Sequence, residues 1–330
     1  MANTLDEMLS KARRYGAEYK GGLSNHLPMA LIALDRLGAD DQRLHRFAEF
    51  YATRLDRMPQ PSGVAITADN WKDHTGGHTY NQEYVDFFAA ELKRLGKTDA
   101  LRRYVPELMS GVGGGAFHPL IRLGYGLDAG ANQEVAEALA AWAIAYLDLG
   151  LSNFASSEPL LAQLEHLRTD TAVLEIKPAG PNIFSRLAVI GSSPAFAQFG
   201  GLAVDWGLDD IRSAALAIYA GTEDNFTALH LVTSAHSLRL LLTALPELTD
   251  ESLSCFWRAL CAAYISIGLP KPTEAAPDTT LDWRTIARAA CASNDDHVIK
   301  FVYTCKQEEQ AYADRRYRFF AAKKAGVLSR

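Results

Sequence analysis

Long hydrophobic runs are missing from this 330-residue sequence. The longest candidate, Leu238–Leu245, falls far short of the ~20 apolar residues that a membrane-spanning helix needs. The N-terminal stretch MANTLDEMLSKARR is polar and charged and has no apolar core, so we expect no signal peptide. The four cysteines show no CxxC spacing, which is typical of reduced thiols in the cytoplasm. These absences predict a cytoplasmic protein with no membrane partner.

Basic charge is also scarce. Lysine and arginine total 33 against 39 acidic residues, the formal net charge is -6, and no long basic run occurs. Nucleic-acid-binding proteins usually carry a basic patch, so we expect no nucleic-acid partner. A dinucleotide fingerprint is lacking as well, because the glycine-rich stretch GVGGGAFHP follows no strand pattern. We therefore expect these glycines to shape the turn before His118 and not to hold a phosphate.

Strand-like alternation is limited to two short candidates, Ser62–Thr67 and Thr171–Ile176. Elsewhere apolar residues recur at spacings of three and four, which is typical of amphipathic helices. The helices predicted in this way are Leu5–Tyr19, Pro28–Leu37, Asp41–Arg57, Tyr84–Leu95, Glu134–Leu149, Ile211–Ala220, Phe226–Leu245, Glu251–Ile267 and Asp296–Phe320. No connection is long or polar enough to be a clear domain linker. We predict one all-α domain that covers residues 1–330 and contains a dozen or so helices.

Histidines in apolar helices, or at their starts, are the main candidates for chemistry. These candidates are His26, His118, His230, His236 and His297. Each one alone is more often a hydrogen-bonded core residue, but helix bundles build internal metal sites from side chains on facing helices. Because six residues turn a helix by roughly 240°, His230 and His236 cannot both point at one centre. We prefer His230, whose helix face carries small residues, and keep His236 in reserve.

Another pair, His74 and His78, flanks two glycines in the stretch HTGGH. An HxxxH pair binds metal when it lies on a helix, but adjacent glycines argue against a helix here. We expect a loop, such as a lid over a pocket.

Lys300 follows His297 by three residues in a segment that otherwise has the pattern of a buried helix. Two side chains three residues apart on a helix point in directions that differ by only roughly 60°, so His297 and Lys300 can reach one point. Burial lowers the pKa of lysine, and a neutral amine can react with carbon dioxide to give a metal-binding carbamate. The alternative is that Lys300 extends to the surface or pairs with Asp296, and the pattern alone favours this alternative.

Four stretches, GLSNHLPMALIAL, GAFHPLIRLGYGLD, ALHLVTSAHSLR and DDHVIKFV, resemble the questin oxidase-like family in that order. The resemblance runs from about Gly21 to Val302. Its better-known members are fungal enzymes that open the central ring of anthraquinone-type polyketides with dioxygen, by Baeyer–Villiger-like or ring-cleaving dioxygenation. The resemblance implies non-haem Fe(II) held by four histidines and a carboxylated lysine. Carried over motif by motif, these ligands are His26, His118, His230, His297 and Lys300.

The chain departs from the family where fungal members tend to have HPLIHLG and this sequence has HPLIRLG. Arg122 lies one turn after His118 and could stabilise a phenolate or a developing carboxylate. Tyr125 follows about a turn later and could donate a proton. The alternative for Arg122 is an ion pair with a helix carboxylate such as Asp128.

These observations predict an oxygenase that acts on a phenolic or quinone-type ring, with a small aromatic molecule and dioxygen as its partners. NADPH as an external reductant is implied for some family members, and the sequence does not decide between a monomer and a homodimer. Two other classes stay open: a metal-dependent hydrolase, for which Asp296 is the only close additional ligand, and a non-catalytic helical binding protein. The expected pocket walls are Trp71, Phe117 and Phe226.

Overall fold

Sixteen α-helices make up most of the regular structure in the computed structural model, which describes residues 4–202 and 206–328. The helices are α1 Thr4–Ala12, α2 Leu27–Arg36, α3 Asp41–Ala52, α4 Asn81–Leu95, α5 Lys97–Met109, α6 His118–Ala129, α7 Asn132–Ile144, α8 Leu160–Thr169, α9 Thr171–Leu174, α10 Ile183–Gly191, α11 Leu208–Ala220, α12 Phe226–Ala244, α13 Thr249–Ser266, α14 Trp283–Ala292, α15 Asp296–Tyr312 and α16 Arg316–Lys324. Short 3₁₀ helices cover Trp71–His74, His78–Tyr80, Gly114–Phe117, Pro194–Gln198 and Pro246–Leu248. The all-α fold class is confirmed.

Neither strand candidate forms a strand. Residues 62–67 have no regular structure, and the Glu83 carboxylate accepts hydrogen bonds from both the backbone and the hydroxyl of Ser62. The second candidate begins as helix α9, because the Asp170 side chain caps it by accepting from Val173 N. Short apolar runs do not distinguish a strand from a helical turn, so capping decided the outcome.

The two strands that do occur lie inside a predicted helix and just after it. The helix predicted over Leu5–Tyr19 ends at Ala12, and strand β1, Glu18–Tyr19, pairs antiparallel with β2, Leu23–Ser24. Glycines at positions 21 and 22 adopt positive φ angles of 76° and 121°, which permit the tight turn between the strands. This small hairpin contributes to the wall of the cavity described below.

Other helix boundaries also differ from the expectation. The segment predicted as one helix over residues 296–320 is two helices, because Ala313 adopts a left-handed conformation with φ 56° and ends α15. Helices α5, α8, α10 and α14 were not predicted. The last three follow proline-containing connections.

Four helices form the part of the core that positions the site. Helix α2 packs against α6 and α15, and α12 packs against the same two helices, so the four enclose a common centre. Helix α6 lies so close to α12 that a Cβ atom at Gly124 would overlap Ser237. The absence of a side chain at Gly124 permits this close approach. Although α12 is buried on nearly every side, no described helix is long and apolar enough to cross a membrane.

Candidate metal centre

The first turns of the four central helices bring four histidines together. His26 is the N-cap of α2, His118 is the first residue of α6, His230 lies in the second turn of α12, and His297 is the second residue of α15. Their candidate ligand atoms all lie within 4.8 Å of one another. The centroid of the His26 ring is 4.4 Å from that of His118 and 4.8 Å from that of His297.

Side-chain oxygens accept from backbone N–H groups at the starts of three of these helices; two are caps, and at α2 the acceptor, Asn25, precedes the N-cap His26. The Asp295 carboxylate accepts from His297 N at 2.8 Å, and the Asn225 amide oxygen accepts from Thr227 N at 2.9 Å. The amide oxygen of Asn25 accepts from Leu27 N at 3.0 Å. Each cap satisfies a free N–H of the first turn, and it thereby sets the position of the histidine in that turn.

The turn before His118 is strained. Gly115, Ala116 and Phe117 all have positive φ angles, of 54°, 55° and 66°. A left-handed conformation costs about 1–2 kcal/mol for a residue with a side chain, and such strain often accompanies functional sites. The turn directs the Gly115 carbonyl toward His118 Nδ1, at 2.6 Å. The expectation that the glycine-rich stretch shapes this turn is thus confirmed.

Gly114→Ala is expected to displace His118 and to weaken metal binding, because a Cβ atom there would overlap the carbonyl oxygen of Ala145. The backbone on both sides must move, so we expect a loss of several kcal/mol of stability, at the upper end of the range for point variants. Thermal unfolding and metal content measure both effects. Gly207→Ala is the control, since its Cβ would meet only the Asp210 carboxylate at 3.6 Å. Equal behaviour of the two variants would contradict the packing argument.

His118 and His230 face each other through their Nε2 atoms, which are 3.0 Å apart. Each Nδ1 donates to a backbone carbonyl, His118 to Gly115 O and His230 to Phe226 O at 2.7 Å. Because Nδ1 carries the hydrogen in both rings, two lone pairs point at each other, an arrangement that a cation between them would stabilise. Two nitrogens at ~2.1 Å from one metal ion and at right angles lie about 3 Å apart. The pair therefore fits a metal ion.

Asp296 holds the other two rings. Its Oδ2 makes a short hydrogen bond with His26 Nδ1 and lies 3.2 Å from His297 Nδ1. The Nε2 atom of His297 is buried and has no hydrogen-bond partner among the described residues. A carboxylate that orients imidazoles through Nδ1 and leaves Nε2 free is a recurring arrangement around protein-bound metals. The sequence pattern does not predict this role for Asp296, although a carboxylate next to His297 is the one signal for it.

Three of the imidazoles, those of His26, His118 and His230, are held in the neutral form that binds metal. Burial, followed by the charge of Lys300, lowers the pKa of His26 to about 3. Burial also lowers the pKa values of His118 and His230 well below the ordinary value, and neighbouring histidines add to the effect. Since neutral imidazole is the ligand form, metal binding would release no proton from these rings at neutral pH.

Lys300 is fully buried on α15, with a side-chain exposure of 1%. Its Nζ lies 3.0 Å from His26 Nδ1 and 3.8 Å from Asp296 Oδ2. Burial lowers the pKa of the amine to about 8, while Asp296 raises it in part. The side chain therefore does not extend to the surface; it lies beside the histidine cluster and contacts Asp296, the carboxylate of the alternative interpretation.

His236 lies outside the cluster. Its Nδ1 is 2.7 Å from Glu308 Oε1, and Arg239 Nε donates to the same oxygen at 2.7 Å. The preference for His230 over His236 thus agrees with the geometry, because only His230 belongs to the group of four.

Arg122 is buried against acidic residues of α7. Its Nε donates to Glu134 Oε2 at 2.9 Å, and a terminal nitrogen lies 3.6 Å from Glu137 Oε2. Burial raises the pKa of Glu137 to about 7, although Arg122 opposes the shift. Asp128, the expected partner, instead accepts from Arg36 Nε at 2.8 Å. Arg122 does not line the large cavity, and its contact with a substrate stays a prediction.

Tyr125 is also buried in the core. Its hydroxyl donates to the backbone carbonyl of Lys300 at 3.3 Å, and burial raises the pKa of the phenol. Like Arg122, it does not line the large cavity. The hydrogen bond of Tyr125 helps to hold α15 at Lys300, next to the histidine cluster. The role of Tyr125 as a proton donor stays a prediction.

A cavity of about 1230 Å³ opens onto the cluster and is lined by His26, His118 and His297. Phe226 lines it as well, with its ring centroid 4.5 Å from that of His230 and 4.6 Å from that of His297. The other two expected walls, Trp71 and Phe117, are buried elsewhere in the core, because their rings pack against neighbouring aromatic side chains.

The predicted loop that contains His74 and His78 borders the same cavity. His78 lines it and forms an ion pair with Glu18 of β1, with Nδ1 and Oε2 at 2.8 Å, whereas His74 does not line it. The hydrogen bond to Glu18 raises the pKa of His78. This contact joins the 3₁₀ helix at His78 to the hairpin at the edge of the cavity.

Helical proteins that direct several neutral imidazoles to one buried point commonly bind a metal ion there, and this fold and site place the protein in that class. The chain belongs to the questin oxidase-like family, whose model matches residues 23–305. The family is named for an oxidase, which supports oxidative chemistry on aromatic polyketides as the general expectation. No curated protein matches the chain in sequence.

Proposed function

We propose that the protein is a non-haem iron-dependent oxygenase that uses dioxygen to oxidise or cleave a phenolic or quinone-type polycyclic ring. The observation that carries the proposal is the convergence of four imidazoles at the end of a cavity of about 1230 Å³. Ligand pockets usually measure roughly 300–1,000 Å³, so this cavity has room for a polycyclic molecule. Membership of the questin oxidase-like family supports the same chemistry.

The residues that would hold the metal are His26, His118, His230 and His297, together with a carboxylated Lys300. Imidazole nitrogen and carboxylate oxygen are suitable ligands for ferrous iron. Bound iron would supply the activation of dioxygen toward an organic substrate. The carbamate would place an anion beside the metal where a protonated amine would repel it.

Side chains in the cavity are suited to orient an aromatic ring. Phe226 presents a half-exposed face next to His230 and His297, and aromatic rings pack favourably against such a face. The Tyr51 hydroxyl accepts a hydrogen bond from His26 N at 3.4 Å and lines the same cavity. Burial raises the pKa of Tyr51, so its hydroxyl stays protonated and can donate to a substrate oxygen.

A metal-dependent hydrolase is the second candidate, because Asp295, Asp296 and His297 form another group with ligand atoms close together. Such an enzyme would bind two metal ions. Asp295 and Asp296 already engage His297 N and His26 Nδ1, which makes them less available as ligands. The hydrolase is therefore the less supported alternative.

Anaerobic purification followed by metal analysis tests the proposal. We expect about one iron per chain, and consumption of dioxygen when a reduced hydroxyanthraquinone is added. Parallel assays with and without NADPH show whether an external reductant is needed. A pair of zinc ions without oxygen consumption would favour the hydrolase, and a metal-free protein that binds the aromatic compound would favour a binding protein.

A further inference from the structure

The cavity continues from the histidines to the start of α10. Asn182, Ile183, Phe184 and Arg186 all line it, so the first turn and a half of this helix forms part of its wall. The Phe184 ring lies 6.1 Å from the His78 ring, between centroids, which places it near the hairpin edge of the cavity. This wall combines an aromatic face with one cationic side chain.

Every carboxylate that lines the cavity already has a partner. Glu18 pairs with His78 at 2.8 Å, and Asp56 accepts from Lys20 N at 2.7 Å. The two remaining acids, Asp295 and Asp296, engage the start of α15 and the His26 ring. None of these four groups forms an ion pair with an arginine that lines the cavity.

The arginines of the cavity differ in their surroundings. Arg54 stacks over Phe50 and Tyr51, with its guanidinium carbon 4.7 Å and 5.1 Å from the ring centroids, and Arg57 is exposed to solvent. Arg186 is half-buried, and its Nε is fully shielded and lacks a hydrogen-bond acceptor. Among the described residues no carboxylate forms an ion pair with it.

A shielded guanidinium nitrogen without an acceptor is unfavourable, because burial removes water and nothing replaces the lost hydrogen bond. Since Nε itself is shielded from the cavity, a ligand oxyanion would reach Arg186 through the terminal nitrogens of the guanidinium and would supply the anionic partner that no described carboxylate provides. Arginine suits that role, since its planar fork donates two parallel hydrogen bonds to a carboxylate or a similar group.

We propose that Arg186 is a specificity-determining residue that binds an oxyanion, a carboxylate or an ionised phenol, carried by the aromatic substrate. The inference rests on the proposed function for the identity of the substrate ring. The ring would extend from Arg186 and Phe184 at one wall to Phe226 beside the histidines at the other. An uncharged analogue would leave the guanidinium without an acceptor, and a site built for a polar group rejects such analogues strongly.

Binding of matched anthraquinones to the anaerobic, metal-containing protein tests this assignment by calorimetry. We expect an anthraquinone carboxylic acid to bind about tenfold or more tightly than its methyl ester. Arg186→Gln should weaken binding of the acid about tenfold to hundredfold, the usual worth of a charge-assisted hydrogen bond, and leave the ester unchanged. Arg186→Lys should recover part of the preference. If the oxyanion is a phenolate, a hydroxyanthraquinone will show the same arginine-dependent preference only above the pKa of its phenol.

Arg284→Gln is the matched control, because Arg284 is exposed on α14 and does not line the cavity; it should change neither affinity. Equal weakening of acid and ester by Arg186→Gln would overturn the assignment. So would the absence of any preference for the charged compounds, or a loss caused by Arg57→Gln instead. The readout is binding, so a protein that keeps the preference but holds no iron and consumes no dioxygen would refute only the oxygenase proposal.

Discussion

His230→Ala is expected to abolish stoichiometric iron binding, whereas His236→Gln should retain about one iron per chain. Both histidines are buried on α12, six residues apart, yet only His230 faces His118 at 3.0 Å. Removing a mere orienting partner of a ligand costs about 10–100-fold in metal affinity, so removing the ligand itself should cost more. Elemental analysis after anaerobic loading, with circular dichroism to verify folding, measures the effect.

The control variant has its own expected cost. His236 Nδ1 contacts Glu308, which also accepts from Arg239, so His236→Gln leaves that carboxylate with one charged partner. We expect a loss of about 1–3 kcal/mol of stability without loss of metal. Equal iron content in the two variants, or iron loss only in His236→Gln, would show that the four-histidine group is not the metal site.

Lys300→Met is expected to lower iron content sharply and to make iron loading independent of bicarbonate. The wild-type amine is buried and its pKa is lowered to about 8, so about a tenth of it is neutral near pH 7 and can form a carbamate. Raising the pH toward 8 increases that neutral fraction and should favour loading. We therefore expect wild-type protein in carbon-dioxide-free buffer to load little iron, and added bicarbonate to restore it.

Methionine has nearly the length of lysine and suits a buried site, so loss of iron would not follow from a large cavity. Lys306→Met on the same helix, α15, is the control, because Lys306 is only half-buried and lies away from the histidines. Unchanged iron in Lys300→Met would exclude a ligand role for the lysine. Bicarbonate-independent loading of the wild type would argue against the carbamate but not against the histidines.

The helical class could be predicted because long helices carry a strong local signal. Helix α12 is apolar along most of its 19 residues, and α2 begins at a proline-containing first turn. Helices α10 and α14 follow proline-containing connections and were missed, although each carries apolar residues at helical spacing. The break at Ala313 was also missed, because the apolar period continues across it while the backbone turns left-handed.

In the histidine site, too, relations between residues on one helix could be predicted, whereas contacts between residues far apart in the sequence could not. Helical angles separated His230 from His236, since both lie on one helix, and the family resemblance supplied the remaining set. The contacts of Asp296 with His26, and of Arg122 with Glu134 and not with Asp128, appear only in the folded chain. These partners depend on which helices pack together.

The amino-acid pattern alone was enough to indicate helices, their buried faces and the histidines at their starts, because each of these properties depends on residues within a few turns of one another. Packing decided the rest: His26 meets Asp296 across 270 positions, and among the described residues no carboxylate pairs with Arg186 at the wall of the cavity. Such distances in the chain carry no periodic signal. These contacts depend on how the surfaces of whole helices pack against one another, which is determined only in the folded core.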